Sequence, residues 1–199
     1  IPNKHAKRMS RKCKYIDADK LEILPKMSFP TPGTKVFNKD LDDLVHHFHN
    51  PCLASNFLST SEESVEDIFK SYCEQNGLDV NWKSIKTACK DVDAVILKLK
   101  YHYDRPRPKN FLLDRSSLYN SIRDSSSPSF PSGHTAIAYF ISSILSDIFP
   151  EEAKDLQTLS ELIGQSRIEN GVHFPSDVLY GRFIGETLSD LFEQGKNKK

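Results

Sequence analysis

Phe130-Pro131-Ser132-Gly133-His134 opens the run FPSGHTAIAYFISSILSDIFP, Phe130 to Pro150, and the reading of this run decides the fold. Past the glycine, apolar residues recur at helical spacing: Ile137, Phe140, Ile141, Ile144, Leu145 and Ile148. The stretch therefore predicts a helix start. Proline fixes the entry, Ser132 can cap, and Gly133 lets another group approach the backbone. The free N–H groups of such a turn, and the positive end of the helix dipole, suit an anion such as phosphate. An ordinary capped turn would look the same, so the neighbouring segments carry the rest of the reading.

Working outward, other stripes repeat the pattern. Leu41, Leu44, Val45 and Phe48 predict a helix over Asn38 to His49, stopped by Pro51. Thr60 and Glu63 have the spacing of a capping box before Val65, Ile68, Phe69 and Tyr72, and Gly77 ends that helix. A further helix begins near Ser84, with Ile85, Ala88, Val92, Val95, Ile96 and Leu99 as its stripe. It runs into Lys98-Leu99-Lys100 and ends at Arg105-Pro106-Arg107-Pro108. Asp114 to Asn120 could form a short helix, followed by a serine-rich loop over Asp124 to Ser129. Glu151 to Ile168 is expected to turn Leu156, Leu159 and Ile163 inward. The last helix starts near Pro175 and is expected to bury Phe183, Ile184, Leu188 and Leu191. Gly181 and Gly185 share one side of it, which permits close approach of a neighbouring helix. No alternating strand pattern and no internal repeat occurs. The fold class is all-α, a helical bundle.

The 199 residues suffice for one good core. Residues 1–35 read as a basic tail and an extended connector, and 36–199 as a single helical domain. The lysines and arginines before Lys20 suggest a solvated tail rather than a nucleic-acid arm. A formal net charge of +0 points to neither nucleic acid nor an anionic membrane as a partner. No apolar run is long enough to span a bilayer. Cys13, Cys52, Cys73 and Cys89 have no zinc-site spacing and fit a reducing compartment, which favours the cytoplasm. His46, His47 and His49 lack a completing ligand at an evident spacing, so no metal site is expected there.

Three features are harder to explain by structure alone. Arg167 lies four residues after Ile163, beside an inward helical face, where an arginine needs an anionic partner. Lys100 similarly borders the stripe through Ile96, with Arg107 just past the helix end. His173 precedes a helix start, and Asp177 lies one turn on, within reach of the imidazole.

Taken in order, Lys100-x6-Arg107-Pro108, Pro131-Ser132-Gly133-His134 and Ser166-Arg167-x5-His173-x3-Asp177 resemble the three-part signature of the type 2 phosphatidic acid phosphatase superfamily. That superfamily includes bacterial non-specific acid phosphatases, lipid phosphatases and vanadium-dependent haloperoxidases. The resemblance covers Lys98 to about Arg182. Lys98-x6-Arg105-Pro106 fits the first part equally well. Lys100 and Arg107 are preferred because Lys100 lies nearer the inward face, and because the bacterial members carry an arginine where Arg105 would be.

The resemblance implies the helical fold of the acid phosphatase and haloperoxidase type. It also implies a metal-independent phosphomonoesterase working through a phosphohistidine on His173, with Asp177 orienting the ring and His134 as general acid. Lys100, Arg107 and Arg167, with Ser132 and the Gly133 N–H, would bind the phosphoryl oxygens. No cofactor is then required, although vanadate or phosphate could occupy the site. Haloperoxidase and lipid phosphatase remain the alternatives. Haloperoxidase relatives are generally larger, and lipid-cleaving ones are usually membrane-embedded. A small phosphate ester is the expected substrate, and homo-oligomerisation is left open.

Overall fold

Helix α6, Gly133–Ile148, is the element the others surround. It belongs to a computed structural model that describes residues 1–16, 24, 26–60, 64–112 and 125–196. Before it in the chain come α1 (Asn3–Met9), α2 (Lys35–His49), α3 (Ser55–Thr60), α4 (Val65–Gln75) and α5 (Trp82–Tyr103). After it come α7 (Ala153–Glu169) and α8 (Pro175–Lys196). Short 3₁₀ turns occupy Pro108–Phe111 and Pro150–Glu152. Among the described residues there is no strand, and no helix is long and apolar enough to cross a membrane. The all-α expectation is met.

The apolar spacing explains the packing. In α6 the buried residues include Phe140, Ile141, Ile144 and Leu145, and they contact α4, α5, α7 and α8. The whole predicted stripe of α5, from Ile85 to Leu99, is buried. A smaller cluster of Phe37, Leu44, Leu112, Ile168, Val172 and Phe174 joins α2 to the ends of α7 and α8. Gly181 and Gly185 face α6 as the sequence suggests. A Cβ on Gly181 would lie 2.6 Å from the Ser132 carbonyl oxygen, and one on Gly185 only 2.4 Å from that of Ala136. The two helices therefore touch backbone to backbone.

Some expectations need correction. The capping residue of α4 is Ser64, whose Oγ accepts from the Asp67 N–H, and Thr60 instead closes α3 by donating to the Asn56 carbonyl. Glu63 lies outside the described residues, as does the proposed helix over 114–120. Phe183 is 49% exposed, because the packed face of α8 is set by Gly181, Ile184, Gly185 and Leu188. The largest difference is at the amino terminus. Residues 1–16 are not a solvated tail: α1 packs on α5, and His5 and Ile16 are buried. The cause is Asp91, an acid on the apolar stripe of α5 with 0% exposure. It accepts from the backbone N–H groups of Lys14, Tyr15 and Ile16 and pairs with Arg11 at 3.2 Å. Leu24 and Met27, in the connector, also enter the main core.

The backbone contact gives a direct test. In Gly185→Ala the added methyl meets fixed main-chain atoms, so α6 and α8 must part. Overpacking of this kind costs about 1–3 kcal/mol. Urea denaturation is expected to show a lowered midpoint, despite the better helix propensity of alanine. A midpoint at or above that of the unaltered protein would contradict the close approach.

Candidate active site

Three helix ends meet on one side of α6. Ser132 caps α6, its Oγ accepting from the Thr135 N–H, while the Ser132 N–H donates to the Asp177 carbonyl at 3.0 Å. That bond ties the first turn of α6 to the first turn of α8. At the end of α5, Asp104 takes a left-handed conformation (φ 46°), a shape that aspartate tolerates better than most residues. The turn sends Arg105 and Arg107 back into the molecule.

A cavity of about 300 Å³ lies at this junction, and Lys100, Arg107, Gly133, His134 and His173 line it. The His173 ring is 3% exposed. Its Nδ1 faces Asp177 Oδ2 at 3.4 Å, and its Nε2 lies 3.0 Å from an Arg107 guanidinium nitrogen. A hydrogen on Nδ1 suits the carboxylate, which leaves the Nε2 lone pair towards Arg107 and the cavity. Burial pushes the His173 pKa well below its usual value, and Arg107, Lys100, Arg167 and His134 add to this in that order. The ring is thus held neutral.

The cations are held by the serine-rich loop. Lys100 Nζ donates to the carbonyls of Pro128 (2.7 Å) and Ser129 (3.1 Å). Arg107 donates to the Ser127 and Val172 carbonyls and to the Ser125 and Ser127 hydroxyls. Burial lowers the Lys100 pKa well below its usual range, and the Arg107 charge works in the same direction. Arg107 itself is lowered to about 10, chiefly by burial, and so stays charged at neutral pH. Arg167 is buried and is not among the residues that line the cavity, but its charge lowers the pKa of both His173 and Arg107.

The geometry separates the two candidate pairs of the first motif. Lys100 and Arg107 face the cavity, whereas Lys98 lies half-buried on the flank of α5. Arg105 is 1% exposed and points elsewhere. Ser132 is also not on the cavity wall: its hydroxyl shares a 2.8 Å bond with that of Thr135.

Sequence reasoning missed Asp40, and weighed Arg105 only as an alternative phosphate-binding arginine, not as the buried partner of two carboxylates. One Arg105 nitrogen donates to Asp177 Oδ1 at 2.6 Å and to the Ser176 hydroxyl, and the other donates to Asp40 Oδ2 at 2.9 Å. The guanidinium lies over the rings of Phe174 (3.9 Å) and Phe29 (4.9 Å). Asp177 Oδ2 also accepts from Ser129 Oγ and the Phe174 N–H. A signal for Asp40 was present, since it sits between Phe37 and Leu44 on the apolar face of α2.

With this geometry in view, similarities to known proteins are informative. A PAP2 superfamily model matches residues 90–195. Over 89 residues the chain is 38% identical to a non-specific acid phosphatase of Salmonella typhimurium, a match covering 43% of this chain and 35% of that protein. A non-specific acid phosphatase of Providencia stuartii is 40% identical over 93 residues, covering 46% of this chain and 38% of the relative. The chain thus matches little more than a third of the length of these relatives. Its fold is similar to that of a bacterial vanadium-dependent iodoperoxidase, with a TM-score of 0.69 and 14% identity over 89% of this chain and 54% of the other.

Replacing Arg105 tests the buried network. Arg105→Met leaves Asp177 and Asp40 without their counter-charge, which for a buried pair costs about 3–5 kcal/mol. Urea titration is expected to show a loss of that size. Arg105→Lys should recover part of it, because one ammonium cannot bridge both carboxylates with the geometry of a guanidinium. An unchanged midpoint in the methionine variant would refute the account.

Proposed function

The chain belongs to the PAP2 superfamily, and on that basis we propose that it is a phosphomonoesterase that hydrolyses small phosphate esters through a phosphohistidine on His173. The observation that carries this reading is the orientation of His173: Nδ1 on Asp177, Nε2 on the cavity beside Arg107. A nucleophilic imidazole must be neutral and must present one lone pair, and burial among cations favours the neutral form.

In the proposed reaction the Nε2 lone pair attacks phosphorus as the bond to the ester oxygen breaks. His134, which lines the same cavity, donates a proton to that oxygen, and the alcohol leaves. A water then attacks the phosphohistidine. His134 accepts its proton, the P–N bond breaks, and inorganic phosphate is released. Asp177 stabilises the imidazolium that forms when Nε2 bonds to phosphorus. Lys100 and Arg107, with the buried Arg167, offset the charge on the phosphoryl oxygens, and the Gly133 N–H at the start of α6 adds a hydrogen bond. Phosphoryl transfer is catalysed mainly by positioning and charge. Fixed cations in a buried site can supply both, so the reaction is proposed to need no metal ion.

The test is hydrolysis of p-nitrophenyl phosphate in excess chelator. His173→Ala is expected to lower kcat at least about 10³-fold and His134→Ala about 10²–10⁴-fold. An acid quench should trap labelled phosphate on the unaltered protein and none on His173→Ala. Activity abolished by chelator and restored by metal would overturn the metal-free mechanism.

The pH profile gives a second check. His173 is held neutral below its ordinary value of 6.5, so its protonation should not reduce kcat/KM between pH 7 and 6. Arg107→Gln removes the largest charge acting on the ring. The His173 pKa then rises, and the acidic limb of kcat/KM should move to higher pH. A limb that stays in place, or moves to lower pH, contradicts this electrostatic assignment.

A further inference from the structure

The cavity extends beyond the two histidines, along α5 to α1 and the start of α4. Its volume of about 300 Å³ exceeds what a phosphoryl group fills, so its outer part must receive the rest of the ester. We propose that this outer part is a leaving-group subsite selecting an uncharged, partly apolar alcohol over one that bears a second negative charge. The inference rests on the phosphatase reading, because it identifies the group bonded to the phosphoryl oxygen.

Three observations carry it. The first is the wall itself. Val65, Ile96, Leu97 and Ile137 give one side of the cavity an apolar surface, which an aryl or alkyl group can cover and a hydrated ion cannot. The second is charge. The inner end holds the cations Lys100 and Arg107, but the outer end is lined by Asp93 and Glu66 with Arg8 as the one cation among the described lining residues there. Arg8 is already bonded to Asp93 through two of its nitrogens. Among the described residues that line this end, a second anion on the leaving group would therefore meet Asp93 and Glu66, with Arg8 already paired. A carboxylate oxygen on this wall can also accept a hydrogen bond from a neutral hydroxyl.

The third observation is rigidity. His5, on α1, is 3% exposed, with its Nδ1 2.6 Å from the Tyr101 hydroxyl and its Nε2 3.4 Å from Ser126 Oγ. Residues 14–16 are fixed on Asp91 just beyond it. The ring is thereby held at the cavity edge. His5, Arg8, Val65 and Glu66 of this lining fall outside the segment matched by the family model, whereas Asp93, Ile96, Leu97 and Ile137 fall within it.

Non-hydrolysable phosphonates read the subsite without turnover. Calorimetry would compare methylphosphonate, phenylphosphonate and 4-carboxyphenylphosphonate on the unaltered chain and on Ile137→Asn, His5→Ala and Asp93→Asn. Phenylphosphonate is expected to bind about tenfold more tightly than methylphosphonate, from the apolar area it covers. The added carboxylate should remove most of that gain. Ile137→Asn and His5→Ala should reduce the phenyl advantage to within about threefold, and Asp93→Asn should restore binding of the carboxylate compound. Methylphosphonate affinity should stay within about twofold throughout, which separates loss of the wall from loss of the fold. Equal affinity for methyl and phenyl compounds, or equal changes for all three ligands in every variant, would overturn the subsite. Turnover of p-nitrophenyl phosphate measured alongside separates the two readings. Turnover with no phenyl preference removes the subsite alone. A phenyl preference without turnover removes the phosphatase and leaves a phosphate-ester binding subsite.

Discussion

Arg105 is a charged group with almost no contact with water, and the site takes its shape from how that charge is compensated. Moving a guanidinium out of water is costly unless anions and hydrogen bonds replace the solvent. Here Asp40, from α2, and Asp177, from α8, provide the anions, Ser176 a hydroxyl, and Phe29 and Phe174 two aromatic faces. The partners come from three separate parts of the chain: Phe29, Asp40, and the stretch from Phe174 to Asp177. The contact therefore fixes the segment after α5 against α2 and α8 together. Asp177 is then constrained on both oxygens, with one on Arg105 and the other receiving Ser129, the Phe174 N–H and the His173 ring. A carboxylate held in this way cannot swing away from the imidazole. The orientation of His173 is thus a consequence of a charge buried on the other side of Asp177.

The second constraint is the absence of side chains where α6 and α8 cross. With backbone against backbone at Gly181 and Gly185, the first turns of the two helices lie close enough for Ser132 to bond to the Asp177 carbonyl. His134 and His173 are carried by these adjoining turns and so reach one cavity despite their separation in sequence. A bulkier residue at either glycine would act on the site through this spacing, without touching it.

Periodic apolar residues made the helices legible, since burial of one face every 3.6 residues leaves a regular trace. The cavity group was legible for a different reason. Lys100, Arg107, His134 and His173 stand in short motifs next to helix ends, where chain direction is predictable. What could not be read were contacts without a period. Arg105 resembles its neighbour Arg107 in the repeated Arg-Pro, and although the helical position of Lys100 favoured Arg107 for the cavity, nothing periodic revealed the two carboxylates that Arg105 joins. The docking of α1 depends on one acid, Asp91, gathering three backbone N–H groups some 75 positions away. Yet Asp40 and Asp91 share a trace, as each is an acid on an otherwise apolar helical face. Such an acid implies a buried donor, although the sequence does not say which.

Net charge speaks to bulk partners and not to local fields. A total of +0 averages over positions with very different solvation. Lysines and acids on exposed helical faces are screened by water and count for little at a distance. Lys100 and Arg167, both buried, and half-buried Arg107 act on one ring that Asp177 holds from its other side, and their fields persist because little water intervenes. The pKa values of His173 and Lys100 are lowered chiefly by burial and further by the neighbouring positive charges. An anion entering the cavity would relieve both. It would meet the cations, and it would restore to Lys100 the stabilisation that burial removes. The same groups that make the site costly to fold therefore make it selective for an oxyanion, and a neutral total charge is compatible with a strongly electropositive centre.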